Sequence, residues 1–217
     1  MNPPAAVFDL EGTLTAGETW KGVARYLRTH GKKAAYDRFF ALHLPGALLT
    51  KAGLLPRRWY QSRWMRHLAG LLAGMDAGSV AAMAEWVVAE ELWPGRKEKT
   101  LRRLLAYRDA GYRIVLASGT YQPVLAAFAR RLGEGVEALG TPLRFRNGVA
   151  TGRLAGPINV GRAKAEAVRR LLGGPPAVAA GDTAADLPLL GMAGQALAVD
   201  PDPRLAREAR RRGWTVL

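Results

Sequence analysis

The chain has 217 residues, 49% hydrophobic and 23% charged, a globular composition with room for one substantial core that excludes a disordered tail, a collagen-like repeat and a low-complexity array. Thirty-two Lys and Arg against 18 Asp and Glu leave a net charge of +14, so the expected substrate or partner is anionic: nucleic acid, acidic lipid or a phosphorylated metabolite. The absence of cysteine excludes disulfides, thiolate metal sites and a cysteine nucleophile.

The opening residues, MNPPAAVFDLEG, show no basic stretch ahead of a long apolar run, so no secretory signal is expected and the anticipated location is cytoplasmic. Ala5 to Leu10 predicts a short, buried, central strand that runs into a turn. From about Thr15 to Glu91 apolar and aromatic residues recur at helical spacing, with breaks at Gly31, Pro45-Gly46, Pro56 and Gly74, which predicts three or four helices and no strand. The longest apolar stretch, Phe39 to Pro56, contains His43, Pro45, Gly46 and Lys51 and falls short of the ~20 clean residues of a spanning helix. After Trp93-Pro94-Gly95 the pattern alternates. A helix is expected over Lys97–Ala110, a strand over Tyr112–Ala117 and a helix over Gln122–Leu132. A hairpin around Asn147-Gly148 is expected over Leu143–Leu154, then a helix over Ala163–Leu172 and short strands over Ala177–Ala180 and Ala196–Val199.

Strands alternating with helices predict an α/β fold: a Rossmann-like, mostly parallel sheet with helices on both faces, formed by residues 1–14 and 95–217. Residues 15–94 are expected to form a helical cap inserted after the first strand. Ligands of such sheets bind at the carboxyl ends of the strands, so a cap leaving the sheet there overhangs the site.

Four segments place polar groups at expected strand ends or helix starts: FDLEGT with Asp9 and Glu11, ASGT with Ser118, a helix start with Lys164, and GDTAAD with Asp182 and Asp186. Phosphate monoester cleavage calls for these groups. A carboxylate attacks phosphorus to form an acyl phosphate, and a hard divalent cation held by carboxylates neutralises the phosphate. Lys, a Ser hydroxyl and backbone N–H groups cradle its oxygens. A second carboxyl two residues after the nucleophile points to the same side of an extended segment, where it protonates the leaving oxygen and later activates water.

This constellation resembles the haloacid dehalogenase-like phosphatase superfamily, in its phosphoserine-phosphatase-like branch with a helical cap, across essentially the whole chain. The resemblance implies Asp9 as nucleophile, Glu11 as acid/base, Ser118 with the Gly119 N–H and Lys164 as phosphate-binding groups, and Mg²⁺ as cofactor. Asp9, Asp182 and the Glu11 carbonyl would then ligate the metal, with Asp186 supporting its water shell. Most members of the superfamily carry Asp where this chain has Glu11; a Glu there is similar to phosphoserine phosphatases and homoserine phosphotransferases that use DLEG. By the same resemblance Glu18 falls on the position that recognises a substrate amino group, and Arg63 or Arg66 would hold a substrate carboxylate. The family implies hydrolysis of a phosphorylated small molecule. Transfer of the phosphoryl group to another alcohol uses the same residues, and a non-catalytic binding module on a decayed phosphatase fold is the alternative of another class.

The cap segment concentrates the charge. Between Thr19 and Met75 stand eleven Lys or Arg with Asp37 as the lone acid, together with Trp20, Tyr26, Tyr36, Phe39, Phe40, Trp59, Tyr60 and Trp64. A solvated basic face over an aromatic cap core explains this pattern. So does a lipid phosphate substrate, with snorkelling Lys and Arg and interfacial Trp holding the cap on an anionic membrane. Nucleic acid ranks last, because no nucleic-acid-binding motif is present. His30, His43 and His67 are scattered in the sequence and no zinc site is expected from them.

Overall fold

The computed structural model describes residues 3–55 and 57–217. Its framework is a six-stranded sheet in which every pairing is parallel. The strands are β1 (Ala5–Phe8), β2 (Arg113–Tyr121), β3 (Glu137–Thr141), β6 (Val178–Gly181), β7 (Gln195–Ala198) and β8 (Thr215–Val216), in the spatial order β3-β2-β1-β6-β7-β8. β4 (Leu143–Arg146) and β5 (Val149–Leu154) form a separate antiparallel hairpin turning at Asn147-Gly148. β1 is central, between β2 and β6, as its apolar run requires.

The pleat sorts side chains to two cores. Ala6, Phe8, Ile114, Leu116 and Val178 face one side, where α5 (Glu98–Asp109) and α6 (Gln122–Leu132) pack. Val7, Val115, Ala117 and Ala179 face the other, against α7 (Gly161–Leu172), α8 (Leu187–Leu190) and α9 (Pro203–Arg212). Two elements carry little sequence signal. β3 reads EALGT, with a glutamate and a glycine in five residues. α9 reads PRLAREARRR and buries only Leu205 and Ala209.

Between β1 and α5 lie α1 (Thr19–Thr29), α2 (Lys33–Lys51), α3 (Arg57–Gly70) and α4 (Ala77–Val87), the last running into a π-helical turn at Val88–Leu92. The expected break at Pro45-Gly46 is absent, since α2 continues through both residues. Ala41 and Pro45 both lie on the solvent side, so the carbonyl that loses its helical donor to proline can turn to water. Gly46 is a packing position: a Cβ there would stand 2.6 Å from the Tyr60 ring, and Tyr60 donates its hydroxyl to the His43 carbonyl at 2.6 Å. The expected break at Pro56 lies outside the described residues.

The insert is held at its base and along one side. Ala16 N donates to Gly95 O at 2.8 Å and Lys97 N to Leu14 O at 2.7 Å, tying the entering and leaving chains together. The hairpin binds the α3–α4 connection through Gly74 N to Ala150 O (3.0 Å) and Ala150 N to Met75 O (2.8 Å). Val23, Leu68, Met83 and Val87 of the insert share one continuous apolar core with Phe8, Val124 and Phe128.

Candidate active site

The strand order runs outward from β1 to β3 on one side and from β6 to β8 on the other. The crevice of such a sheet opens where the order reverses, at the carboxyl ends of β1 and β6. β1 delivers Asp9, whose N–H donates to Ala180 O at 3.0 Å, and β6 delivers Asp182 in the turn after Gly181.

Lys164, on the first turn of α7, reaches between two acids, donating to Asp9 Oδ1 and Asp186 Oδ1, each at 2.8 Å. Asp9 is 7% exposed, Lys164 3% and Asp186 1%, so these charges persist because they are paired. Asp186 Oδ2 also accepts from Thr183 N and Thr183 Oγ1, both at 3.2 Å. Carboxylate oxygens of Asp9, Asp182 and Asp186 lie within 4.8 Å of one another.

Three acids share one buried cation. Burial, countered by Lys164 and reinforced by Asp186, holds the Asp9 carboxyl at about 6. Burial together with the charges of Asp9 and Asp186 pushes Asp182 up to about 7. Burial alone would lower the Lys164 pKa, but the two carboxylates outweigh it and keep the ammonium charged. The cluster therefore lacks positive charge, and its all-oxygen donor set fits a hard divalent cation.

Gly12 makes the close approach possible. It sits at φ +81°, and a Cβ there would fall 2.0 Å from Asp182 Oδ2. Thr13 Oγ1 donates to Asp182 Oδ1 at 3.3 Å. Asp202 accepts from Ala184 N at 2.9 Å while capping α9 through Arg204 N and Leu205 N, pinning the loop that carries Asp182 and Asp186.

Glu11 belongs to a second network. Its Oε1 accepts from Thr19 N at 2.7 Å and from Thr120 Oγ1 at 3.4 Å, and the Thr19 and Thr120 hydroxyls bond to each other. Burial raises the Glu11 pKa against these donors, and the nearby Glu18 charge adds to the rise. Thr120 N in turn donates to Ser118 Oγ at 3.4 Å. The expected strand end at Ala117 is a bulge instead. β2 continues to Tyr121, but from Ala117 to Tyr121 it advances four residues while β3 advances two. Ser118 and Gly119 thus leave the regular ladder beside the end of β1.

The structure gathers Asp9, Lys164, Asp182 and Asp186 in one cluster and joins Glu11 to Ser118 through Thr120. Glu18, at the N-cap of α1, places its carboxylate 3.3 Å from the Lys21 ammonium. Arg63 and Arg66 are exposed on α3, the helix whose Met65 carbonyl accepts from the Tyr121 hydroxyl at 2.6 Å. His43 Nε2 and His67 Nδ1 stand 2.7 Å apart, and His43 Nδ1 is 2.8 Å from Phe39 O, an arrangement of hydrogen bonds within the insert. Thr13, Thr19, Thr120 and Asp202 carry no sequence signal beyond the adjacency of Thr13 to Gly12 and of Thr120 to Ser118-Gly119.

A family model described as haloacid dehalogenase-like hydrolase matches residues 6–191. Phosphoserine phosphatase SerB1 of Mycobacterium tuberculosis is 33% identical over 225 residues, covering 98% of this chain and 70% of that protein. A phosphoserine phosphatase of Halobacterium salinarum is 30% identical over 202 residues, covering 90% of this chain and 85% of that protein. A crystal structure from Bordetella pertussis, described as a protein with unknown function, matches with a TM-score of 0.82 at 26% identity, covering 100% of this chain and 99% of that one. The chain belongs to the haloacid dehalogenase-like hydrolase family, among its phosphatases.

Proposed function

We propose that the protein is a Mg²⁺-dependent phosphomonoester hydrolase that works through a phosphoaspartyl intermediate at Asp9. Its substrate is a small phosphorylated metabolite of the phosphoserine type or a lipid phosphate. The observation that carries this reading is the buried Asp9–Lys164–Asp186 arrangement with Asp182 beside it at the carboxyl ends of β1 and β6.

Lys164 fixes Asp9 Oδ1, leaving Oδ2 as the attacking oxygen. As the Oδ2–P bond forms, the P–O bond to the leaving group breaks, and the departing oxygen takes the proton held by Glu11, whose raised pKa suits a general acid. Glu11, now a carboxylate, takes a proton from water, which attacks phosphorus and releases phosphate and Asp9. Lys164, the Ser118 hydroxyl and the Gly119 N–H hold the phosphoryl oxygens. Asp9, Asp182 and the Glu11 carbonyl would hold Mg²⁺, with Asp186 supporting its water shell, and the ion would supply the charge that lets an anionic nucleophile meet an anionic phosphate. Residues 15–94 act as a cap on the core formed by residues 1–14 and 95–217. Glu18 and Arg63 or Arg66 are its candidates for the ammonium and carboxylate of a phosphoserine-like ester, a substrate class supported by the names of the related phosphatases.

Chelator-stripped protein is expected to release phosphate only after Mg²⁺ is restored, with p-nitrophenyl phosphate, phosphoserine, lysophosphatidate and nucleotides tried in parallel. No turnover across that panel would overturn the proposal. Glu11→Gln is expected to slow hydrolysis by about 10²-fold, and by more for phosphoserine than for p-nitrophenyl phosphate, because an alkoxide needs the proton more than a phenolate does. Equal losses on both would assign protonation elsewhere. Gly12→Ala, which drives a methyl into the Asp182 carboxylate, is expected to weaken Mg²⁺ binding by about 10-fold or more in calorimetric titration.

A further inference from the structure

We propose that the outer face of α2, with the turn that follows it, is a docking surface for an anionic membrane. From Phe39 to Thr50 this helix has no charged residue. Its inner side places Phe39 4.9 Å from the Trp64 ring and Gly46 against Tyr60. Its outer side, which an ordinary surface helix would fill with polar groups, presents Phe40, Leu42, Leu44, Leu48 and Leu49 to solvent, and Leu54 follows in the turn. Five of the eleven large apolar side chains exposed among the described residues therefore lie on this one helix and a sixth in the turn after it, with Leu42 75% and Leu54 71% exposed. Scattered apolar residues need no partner, but a contiguous patch of this kind does.

Shape and charge select the occupant. The surface is a convex helix face rather than a groove, and it offers leucines, whereas protein interfaces are anchored by buried Trp, Tyr and Arg. Trp20 and Trp64 pack against the apolar core and meet edge to face at 5.7 Å, and the exposed apolar side chains of this face are Phe40 and leucines. The twelve uncharged residues from Phe39 to Thr50 span about 18 Å as a helix, and no helix among the described residues is long and apolar enough to cross a bilayer. That length suits a helix lying in the interface plane.

Lys33 and Arg38 are exposed just before the apolar stretch, and Lys51, Arg57 and Arg58 follow it in sequence. The lone acid of residues 19–75, Asp37, is paired with Lys33 at 2.8 Å and Arg28 at 3.4 Å, so no free carboxylate opposes an anionic surface. A second copy of the chain would bring the same excess of positive charge against this one and be repelled, whereas acidic headgroups neutralise it.

Sedimentation with vesicles tests the assignment. The full chain is expected to pellet with vesicles of phosphatidylcholine plus phosphatidylglycerol, with partitioning at least ~10-fold weaker onto phosphatidylcholine alone and at about 0.5 M salt. The combined substitution Leu42→Ser, Leu48→Ser and Leu54→Ser is expected to lower partitioning by about 10-fold or more while retaining the wild-type circular dichroism. Wild-type protein that stays in the supernatant with anionic vesicles at low salt overturns the proposal, a comparison that needs no variant. Undiminished binding by the folded triple variant also overturns it. So does a concentration-dependent dimer in sedimentation velocity that the triple variant abolishes, which would make a second copy the occupant.

Discussion

Asp9→Asn is expected to reduce Mg²⁺-dependent hydrolysis of an aryl phosphate by about 10⁴-fold or more, because an amide oxygen cannot form the acyl phosphate. Its effect on folding has the opposite sign. The Asp9 carboxyl is held at about 6 in the folded chain against an ordinary value of 3.8. A pKa raised by folding contributes stability that is complete below the unfolded value and lost as pH rises through the folded one. Above about pH 6 the wild type has lost that contribution and carries a buried, ionised carboxylate, while the amide carries none. In metal-free buffer near pH 8 the variant is therefore expected to melt at or above the wild-type temperature, with the difference closing as pH falls toward 4. Thermal unfolding across this range, beside phosphate release, reads both effects. Undiminished turnover would remove Asp9 from the role of nucleophile.

Lys164→Met is expected to be damaging on both counts. The methionine has similar length and no charge, so it leaves Asp9 and Asp186 facing each other in a buried site without the ammonium that each touches at 2.8 Å. Removing one partner of a buried charged set costs about 3–5 kcal/mol, which for a chain of this size lowers the melting temperature by roughly 10 °C. The deficit requires ionised carboxylates, and loss of the ammonium lifts the Asp9 carboxyl above its wild-type value of about 6, so the deficit is expected to be largest at alkaline pH and to shrink as pH falls toward 6. Adding Asp186→Asn to the same chain is expected to restore part of the stability but no turnover. A deficit that does not change with pH would assign it to packing rather than charge.

The alternation of apolar strands and helices made the parallel sheet legible, because strands buried on both faces read as short continuous runs such as AAVF and VAAG. The margins were not legible. β8 is two residues long, β3 carries Glu137 and Gly140, and the charge of α9 hides its two buried contacts. Pro45-Gly46 reads as a break, yet the glycine is demanded by the Tyr60 ring, a long-range contact that no local pattern records. At the site, motif order pointed to Asp9, Lys164, Asp182 and Asp186, which the folded chain sets side by side. The supports are threonines whose meaning depends on partners far along the chain. Thr19 and Thr120 meet across 101 residues and Thr13 reaches Asp182 across 169, so neither pair leaves a trace in local spacing.

If Glu11 carries the proton as proposed, the bond from Thr19 N to Glu11 Oε1 ties that step to the position of the insert. The donor is the opening backbone amide of α1, so any lifting of that helix withdraws it from the carboxylate, while Asp9, just after β1, and Lys164, on α7, belong to other elements and keep their pairing. In the proposed mechanism an open chain would thus keep its nucleophile but lose the donor that orients its acid. Bond making to phosphorus and protonation of the leaving oxygen then coincide only when α1 is seated. In that mechanism the insert would work as an interlock, tying the timing of the reaction to the act of enclosing the substrate.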